Sequence, residues 1–225
     1  MKFINAPSPN FDDRGRSVDM VVLHYTGMPT GDEALARLRD PAMKVSAHYL
    51  VEENGDINRL VDEAKRAWHA GVGSWKGETD INARSIGIEI VNPGHEFGYR
   101  DFPAEQIDSV IELLKDIRTR FDITAARTLG HCDVAPRRKE DPGEKFPWLR
   151  LALEGLALAP FDGDLNTGDG VSYDEALNAL QAIGYYAPQG DHIAGLLAFQ
   201  RRFCPESLGQ GFDRRTKAAL MAVKL

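Results

Sequence analysis

The stretch GHCDVAPRRKEDPG, residues 130–143, places His131, Asp133, Lys139 and Asp141 within fourteen residues. Prolines and glycines recur along it and argue against a regular helix or a central strand, so we expect a shaped loop whose polar side chains converge. A neutral imidazole and a carboxylate are two of the three protein ligands that a catalytic zinc needs, while the fourth position stays open to water or substrate. The stretch therefore predicts two ligands of a metal site and leaves a third to be found.

The third ligand is expected at His24, which directly follows the apolar run Met20–Leu23. Four apolar residues after Asp19 predict a short buried strand, and a histidine at its carboxyl end projects into a crevice. Taken alone, such a histidine is more often a structural residue held by hydrogen bonds. In combination with the 130–143 stretch, His24 becomes a candidate ligand.

A lone carboxylate, Glu89, lies in a second strand pattern, SIGIEIV, residues 85–91. The period of two puts the three isoleucines on one face and Gly87, Glu89 and Val91 on the other. This second face could be the solvated side of an edge strand, but Gly87 and Val91 make a poor solvated surface. Burial and a nearby metal charge would tune the pKa of such a carboxylate, so Glu89 is a candidate for proton transfer.

Other patterns predict the elements around these strands. Thr30 and Glu33 fit a capping box ahead of a short helix, and residues 45–51 and 57–61 predict a β-hairpin with Asn-Gly at its turn. His48 lies on that hairpin and offers a rival metal site of His24, His48 and His131, although a histidine among apolar strand residues is usually structural. Apolar residues at helical spacing from Pro103 to Phe121 predict an amphipathic helix that covers a sheet.

Length and charge limit the classes of function. At 225 residues the chain can form one main core and a small second module. A net charge of −7 argues against nucleic acid or an anionic membrane surface as a partner, and no apolar run is long enough to span a bilayer. The first ten residues break into Asn and Pro before an apolar export signal could form, which predicts a cytoplasmic location, with the periplasm or cell envelope as the alternative. The sequence makes no prediction of the oligomeric state.

Neither of the two cysteines is expected to form a disulfide, because Cys132 and Cys204 lie in different predicted domains. Cys132 beside His131 could be proposed as the nucleophile of a cysteine-dependent peptidase. Adjacent residues in a turn seldom bond to each other, however, and a small buried thiol is the simpler interpretation.

The composition changes after Trp148. A catalytic domain is predicted over residues 1–158, a Gly- and Asp-rich linker over 159–170, and a small three-helix bundle over 171–225. Ser172 with Glu175 predicts the cap of the first helix, Asp191 that of the second and Asp213 that of the third.

Five motifs in one order resemble the zinc-dependent N-acetylmuramoyl-L-alanine amidases of the type 2 amidase family, and in particular the branch that recycles anhydro-muropeptides. They are LHYT at 23–26, VSAHYL at 45–50, RAWHAG at 66–71, the segment 82–92 with its SIGIE core, and the 130–143 stretch. The resemblance covers about residues 18–150 and implies an α/β fold with a mixed central sheet flanked by helices. It also implies a zinc ion held by His24, His131 and Asp141, with Glu89 as general base and acid and Lys139 stabilising the oxyanion.

The same resemblance implies a substrate cleft. The residues that match it are Tyr25, Arg66, Trp68, His69, Ala70 and Asn82. In it, Trp68 would offer a face to a sugar ring and Arg66 a fork to a peptide carboxylate. One departure separates the chain from related lysozyme-like amidases, in which a catalytic tyrosine precedes the position of His48; here that residue is Ala47, as in the recycling branch.

The function implied is hydrolysis of the amide between N-acetylmuramic acid, or its 1,6-anhydro form, and L-alanine, with peptidoglycan or muropeptides as substrate. A non-catalytic protein that recognises muropeptides is the alternative. The C-terminal helices are similar to the peptidoglycan-binding module of wall hydrolases, which implies that they add wall affinity by tethering; a plain packing domain is the other interpretation.

Overall fold

A computed structural model of the chain describes residues 1–223, in which eight strands and nine α-helices are formed. The strands are β1 (Phe3–Asn5), β2 (Phe11–Asp13), β3 (Met20–Tyr25), β4 (Tyr49–Val51), β5 (Ile57–Arg59), β6 (Lys65–Ala67), β7 (Ser85–Ile90) and β8 (Thr128–Gly130). The helices are α1 (Gly31–Arg39), α2 (Ile81–Arg84), α3 (Gly94–Phe97), α4 (Ala104–Arg118), α5 (His131–Val134), α6 (Trp148–Leu153), α7 (Tyr173–Ile183), α8 (Ile193–Phe203) and α9 (Arg214–Ala222). None of the helices in this part of the chain combines the length and the hydropathy of a membrane span.

Six strands form the central sheet in the order β1-β5-β4-β7-β3-β8. The β4–β5 hairpin is antiparallel and every other neighbouring pair is parallel, so the sheet is mixed, as predicted. Strands β2 and β6 form a separate antiparallel pair. The α/β prediction is thereby confirmed.

The alternation along β3 divides the core into two sides. Val21 and Leu23 pack with the isoleucines of β7 and the apolar side of α4. Met20 and Val22 point the other way, into a cluster shared with the C-terminal helices. Because His24 follows Met20 and Val22 at the same period of two, its side chain emerges on that second face.

Two predicted helices are confirmed with small changes in their bounds. Helix α1 begins after Thr30, whose side chain accepts the backbone N–H of Glu33. Helix α4 begins at Ala104, so Pro103 is its cap and not a residue of its first turn.

The prediction that residues 130–143 form no regular helix was wrong at one end. Residues His131–Val134 form the single-turn helix α5, and the side chain of Asp133 accepts the backbone N–H of Gly130. Pro136 lies beyond this turn: a proline disfavours helical geometry at the residue before it, here Ala135, and the helix has already ended at Val134. The rest of the stretch is irregular, as expected.

The C-terminal region forms the three predicted helices. Ser172 and Glu175 make the capping box of α7, and Asp213 caps α9. Asp191 does not cap α8: that helix follows His192, and the Asp191 carboxylate forms an ion pair with Arg137 instead. Within the predicted linker, Leu165–Gly168 form a 3-10 helix, and residues 224–225 lie outside the described part of the chain.

The C-terminal helices share a core with the sheet. Apolar side chains of α7 and α8, including Leu177, Leu180 and Phe199, belong to the same buried cluster as Met20 and Val22. A tether that left the two parts independent would leave these surfaces exposed. The helical region is therefore packed onto the second face of the sheet.

A buried polar contact reinforces this packing. The guanidinium of Arg202 in α8 donates to the Asp133 carboxylate at 2.6 Å, and the Tyr185 hydroxyl donates to the other carboxylate oxygen at 2.6 Å. All three side chains are at most 3% exposed. The helix that begins with His131 is thus bound directly to the C-terminal region.

Candidate active site and metal centre

Three side chains predicted as metal ligands lie together. The Nδ1 atoms of His24 and His131 are 2.9 Å apart, and each is 3.1 Å from Oδ2 of Asp141. All three residues are at most 5% exposed. Among the described residues, they form a group of nitrogen and oxygen donors with the geometry to hold a metal ion.

Strand register explains the convergence. Leu23 of β3 pairs with Gly130 of β8, so His24 and His131 each follow at the carboxyl end of neighbouring parallel strands. Asp141 joins them because its backbone carbonyl accepts the N–H of Cys132 at 2.8 Å, which folds the 130–143 stretch back on itself.

The donor set fits zinc. Two imidazole nitrogens and a carboxylate oxygen form a set known from catalytic zinc sites, and ligands at about 2.0–2.1 Å from a tetrahedral ion are about 3.3 Å apart. The observed separations of 2.9–3.1 Å are close to that spacing. These residues could therefore hold the ion without a large rearrangement.

The electrostatics of the group favour metal binding as well. Burial and the nearby His131 lower the pKa of His24 to about 4, so its imidazole is neutral at pH 7. Burial alone would raise the pKa of Asp141, but His131 and His24 more than offset it and hold the pKa well below its usual range. A neutral imidazole and an ionised carboxylate are the forms that bind a metal.

Glu89 lies beside this group. It is the register partner of His24 on the adjacent strand β7, so the two side chains emerge next to each other on one face of the sheet. Its Oε2 atom is buried and has no hydrogen-bond partner among the described residues. Burial, followed by the charge of Asp141, raises the pKa of the Glu89 carboxyl well above its usual range, while the charge of Lys139 opposes that rise. A proton acceptor with a raised pKa is suited to general base catalysis near neutral pH.

Lys139 lines the same cleft as His24, Glu89 and Asp141. Its neighbours in sequence differ in their contacts. The Arg138 guanidinium donates to the backbone carbonyls of Ala70 and Val72, whereas Arg137 pairs with Asp191. Neither arginine is therefore simply solvated.

The cleft has a volume of about 430 Å³. Tyr25 and Trp68, two of the predicted substrate residues, lie along its wall, and both are partly exposed. Burial raises the pKa of Tyr25 to about 12, and its hydroxyl lies 3.0 Å from Nδ1 of His95. A partly exposed tryptophan face at this place can stack on a sugar ring.

Sequence reasoning missed several residues that line the cleft, among them His95 and Arg37. His95 follows the turn after β7, at the same edge of the sheet as Glu89, and its Nε2 lies 3.1 Å from a carboxylate oxygen of Glu144. The signal was the NPGH segment directly after a strand that carries a candidate base. Arg37 lies on the amphipathic helix α1, and nothing in the sequence distinguishes it from a solvated arginine.

Arg66 lies outside the described lining of the cleft. Its guanidinium donates to the carboxylates of Asp12 on β2 and of Asp80 just before α2, at 3.0 and 2.8 Å. Since both sides of the guanidinium are occupied, the geometry does not support the predicted bidentate contact between Arg66 and a peptide carboxylate.

Ala70 and Asn82 are also not placed for direct contact with a substrate. Ala70 is fully buried, and Asn82 is 6% exposed. The Asn82 side-chain oxygen accepts the backbone N–H groups of His69 and Ala70. Of His69, Ala70 and Asn82, only His69 borders the cleft. Its two ring nitrogens lie within hydrogen-bond distance of His24 and Ser85.

The rival candidates from the sequence are structural residues here. His48 is buried, and its Nδ1 accepts the N–H of Gly87. Cys132 is a free buried thiol whose pKa burial raises well above its usual range, which is the opposite of an activated nucleophile. Asp133, the other aspartate of the 130–143 stretch, is engaged by Arg202 and Tyr185 and lies outside the described lining of the cleft.

Comparison with known proteins agrees with the geometry. The family model described as N-acetylmuramoyl-L-alanine amidase matches residues 14–144. The chain is 41% identical to the N-acetylmuramoyl-L-alanine amidase AmiD of Escherichia coli, over 92% of this chain and 82% of that protein. It is 36% identical to the 1,6-anhydro-N-acetylmuramyl-L-alanine amidase AmpD of Haemophilus influenzae, over 64% of this chain and 86% of that protein.

Solved structures extend the similarity to the helical region. AmiD of Escherichia coli, in complex with the substrate anhydro-N-acetylmuramic acid-L-Ala-D-gamma-Glu-L-Lys, superposes with a TM-score of 0.81 at 34% identity, covering 94% of this chain and 89% of AmiD. AmpDh3 of Pseudomonas aeruginosa superposes with a TM-score of 0.82 at 33% identity, covering 96% and 93%. With a matching family model, extended sequence identity and a shared fold, the chain belongs to the N-acetylmuramoyl-L-alanine amidase family.

Proposed function

We propose that the protein is a zinc-dependent hydrolase of the amide bond between N-acetylmuramic acid, or its 1,6-anhydro form, and L-alanine. The observation that carries this proposal is the buried group of His24, His131 and Asp141 with the Glu89 carboxylate beside it. A zinc ion held there would lower the pKa of a bound water toward about 7 and polarise the scissile carbonyl.

Glu89 is proposed as the proton carrier of the reaction. Its carboxylate takes a proton from the attacking water as the new C–O bond forms, and it returns a proton to the leaving amine of L-alanine as the C–N bond breaks. The burial of its Oε2 atom and the raised pKa of its carboxyl support this role. A general base of this kind accounts for a rate factor of about 10²–10⁴.

Lys139 is proposed to stabilise the negative charge that develops on the carbonyl oxygen. It lines the cleft with Glu89, and its positive charge acts on that carboxyl. A fixed charge near a developing oxyanion is effective because it needs no reorganisation during the reaction.

The sugar and the peptide are proposed to lie along the wall formed by Tyr25 and Trp68. The AmiD structure contains an anhydro-N-acetylmuramyl tripeptide as substrate, and AmpDh3 has been solved with an anhydromuramic pentapeptide. We therefore expect both MurNAc-peptides and 1,6-anhydro-MurNAc-peptides to be cleaved, since zinc can serve any amide and selectivity must come from the walls.

The predicted division into a catalytic domain (1–158), a linker (159–170) and a helical module (171–225) is proposed here as a division of roles and not of independent folding units. The core shared by the two parts supports this view. A cytoplasmic location stays a prediction, and fractionation of cells that express the native protein tests it.

Digestion of defined muropeptides, followed by mass spectrometry, tests the activity. The protein with one equivalent of zinc should release an L-alanine-headed peptide and the free sugar acid from both substrates, and Glu89→Gln should bind zinc without releasing either. Cleavage within the peptide or between sugars would contradict the proposed specificity. Zinc binding without any cleavage would instead favour a non-catalytic muropeptide-recognition protein.

A further inference from the structure

The far sides of the two histidine ligands are held by consecutive residues of one segment. Nε2 of His24 lies 3.0 Å from Nδ1 of His69, and Nε2 of His131 lies 2.9 Å from the carbonyl oxygen of Ala70. The nitrogens that face the metal site are Nδ1 in both cases. Residues 69–70 therefore contact each ligand at the ring nitrogen that points away from the metal site.

On the His24 side the hydrogen bonds run in one consistent direction. With Nδ1 of His24 left as a lone pair, its Nε2–H donates to Nδ1 of His69, and the Nε2–H of His69 then donates to Oγ of Ser85 at 3.1 Å. The Ser85 hydroxyl donates in turn to the carbonyl oxygen of Ile81 at 2.6 Å. His69 and Ser85 each donate one of these hydrogen bonds and accept one, so the chain fixes the tautomers of two neutral imidazoles.

On the His131 side the acceptor is a backbone atom, the Ala70 carbonyl oxygen, which also accepts from the Arg138 guanidinium, and Asn82 holds the segment that carries it. The Oδ1 atom of Asn82 accepts the N–H of His69 at 3.2 Å and the N–H of Ala70 at 2.7 Å. Asn82 lies on the short helix α2, which leads directly into β7, the strand that carries Ser85 and Glu89. The segment is thereby fixed to the same strand as the catalytic carboxylate.

Gly87 provides the room for this arrangement. A Cβ atom at residue 87 would lie 2.3 Å from Cγ of His69, closer than any real contact, so the imidazole occupies the space above a glycine. Ser85, Gly87 and Glu89 share one face of β7. On this face, Ser85 accepts a hydrogen bond from His69, Gly87 leaves space for the His69 ring, and Glu89 is the proposed base.

We propose that His69, Ala70, Asn82 and Ser85 are positioning residues that orient the two histidine ligands, and that they are not substrate-binding residues. The proposal rests on the metal site of the proposed function. Groups that hold the outer nitrogen of a metal-bound histidine fix its tautomer and orientation, and their loss lowers metal affinity about 10–100-fold.

The test compares His69→Leu with His69→Gln, two replacements of similar size. Glutamine keeps an acceptor for His24 and a donor for Ser85, whereas leucine keeps neither. The zinc dissociation constant, measured by competition with a chelator and without substrate, should rise about 10–100-fold in His69→Leu and by much less in His69→Gln. Thr128→Val is the control, because the buried Thr128 hydroxyl on β8 has no partner among the described residues, so its loss should leave zinc affinity unchanged.

Two variants that keep His69 itself support the test if His69→Leu folds poorly. Ser85→Ala removes only the anchor of the chain, and Gly87→Ala forces the His69 ring to move without removing a polar group. Both should weaken zinc binding, while thermal unfolding of the metal-free proteins shows whether the fold is kept.

Normal zinc affinity in folded His69→Leu, with only KM raised, would overturn the proposal and make His69 a substrate contact. Equal weakening in the leucine and glutamine variants would also overturn it, because the hydrogen bonds would then not be the cause. Since zinc affinity is measured without substrate, these outcomes are separate from any failure of the wild-type protein to cleave muropeptides.

Discussion

Replacing Arg202 with methionine should destabilise the whole protein, although Arg202 lies in the last third of the chain. Its guanidinium donates to Asp133 at 2.6 Å and to the carbonyl oxygen of Thr128 at 2.9 Å. Methionine fills much of the same space but leaves the Asp133 carboxylate buried without its counter-charge.

The expected magnitude follows from the burial of the pair. Breaking a buried ion pair by removing one partner costs about 3–5 kcal/mol, because an uncompensated charge stays in the interior. For a protein of this size, each kcal/mol corresponds to a shift of about 2–4 °C, so Tm should fall by about 6–20 °C. The hydrogen bonds to Asp133 from the N–H of Gly130 and the hydroxyl of Tyr185 limit the loss.

Urea unfolding, followed by both tryptophan fluorescence and circular dichroism, measures the effect. The double variant Arg202→Met with Asp133→Asn should recover a large part of the lost stability, because asparagine removes the unpaired charge. Arg214→Met is the matched control: Arg214 pairs with Asp169 on the surface, both side chains are more than half exposed, and such pairs contribute about 0–1 kcal/mol.

A loss of less than about 1 kcal/mol in Arg202→Met would refute the reasoning. Two separate unfolding transitions in the wild type would also refute it, because the shared core requires the helical region and the sheet to unfold together. For the same reason, deletion of residues 160–225 should destabilise the catalytic part, contrary to what a simple tether would allow.

Further predictions concern Glu89, the metal and one helix cap. Glu89→Gln should lower kcat by about 100-fold or more while zinc content, measured by elemental analysis, stays near one per chain. In the metal-free protein, the raised pKa of Glu89 means that the folded state favours the protonated carboxyl. The wild type should therefore lose stability relative to Glu89→Gln as the pH rises above about 4.3. Denaturant titrations at several pH values measure this difference in stability, and a difference that does not change with pH would count against the prediction. Thorough chelation should abolish amide hydrolysis and added zinc should restore it, whereas full activity without metal would exclude the zinc mechanism. Asp213→Ala should cost about 1 kcal/mol in urea unfolding, because Asp213 accepts the N–H of Thr216 at the start of α9.

Much of the site could be predicted from the sequence because strand patterns place residues at defined edges. His24 and Glu89 each sit at the carboxyl end of an apolar strand pattern, and parallel pairing makes them neighbours. The period of two along β7 placed Glu89 on the correct face. Local capping signals, such as Thr30 and Ser172, were likewise sufficient to locate helix starts.

The rest depended on contacts between distant parts of the chain. Arg66 and Asn82 carry the same chemical groups whether they bind a substrate or a neighbour, and only the fold shows that Asp12 and the 69–70 backbone occupy them. Asp191 is a residue type that is favoured at helix N-caps, but its carboxylate pairs with Arg137 from a distant part of the chain. The packing of the helical region onto the sheet could not be predicted for the same reason, because the Gly- and Asp-rich composition of the linker indicates flexibility.

The contact between Asp133 and the C-terminal helices also bears on the design of chimaeras in this family. A helical region taken from one amidase and grafted onto the sheet of another must find a carboxylate at the position of Asp133 for its arginine and tyrosine. If the recipient offers an apolar residue there, the graft buries an unpaired guanidinium next to the turn that presents His131. The exchangeable unit in this fold is therefore the C-terminal helices together with the first turn after β8, and a cut in the linker alone would separate residues that belong together.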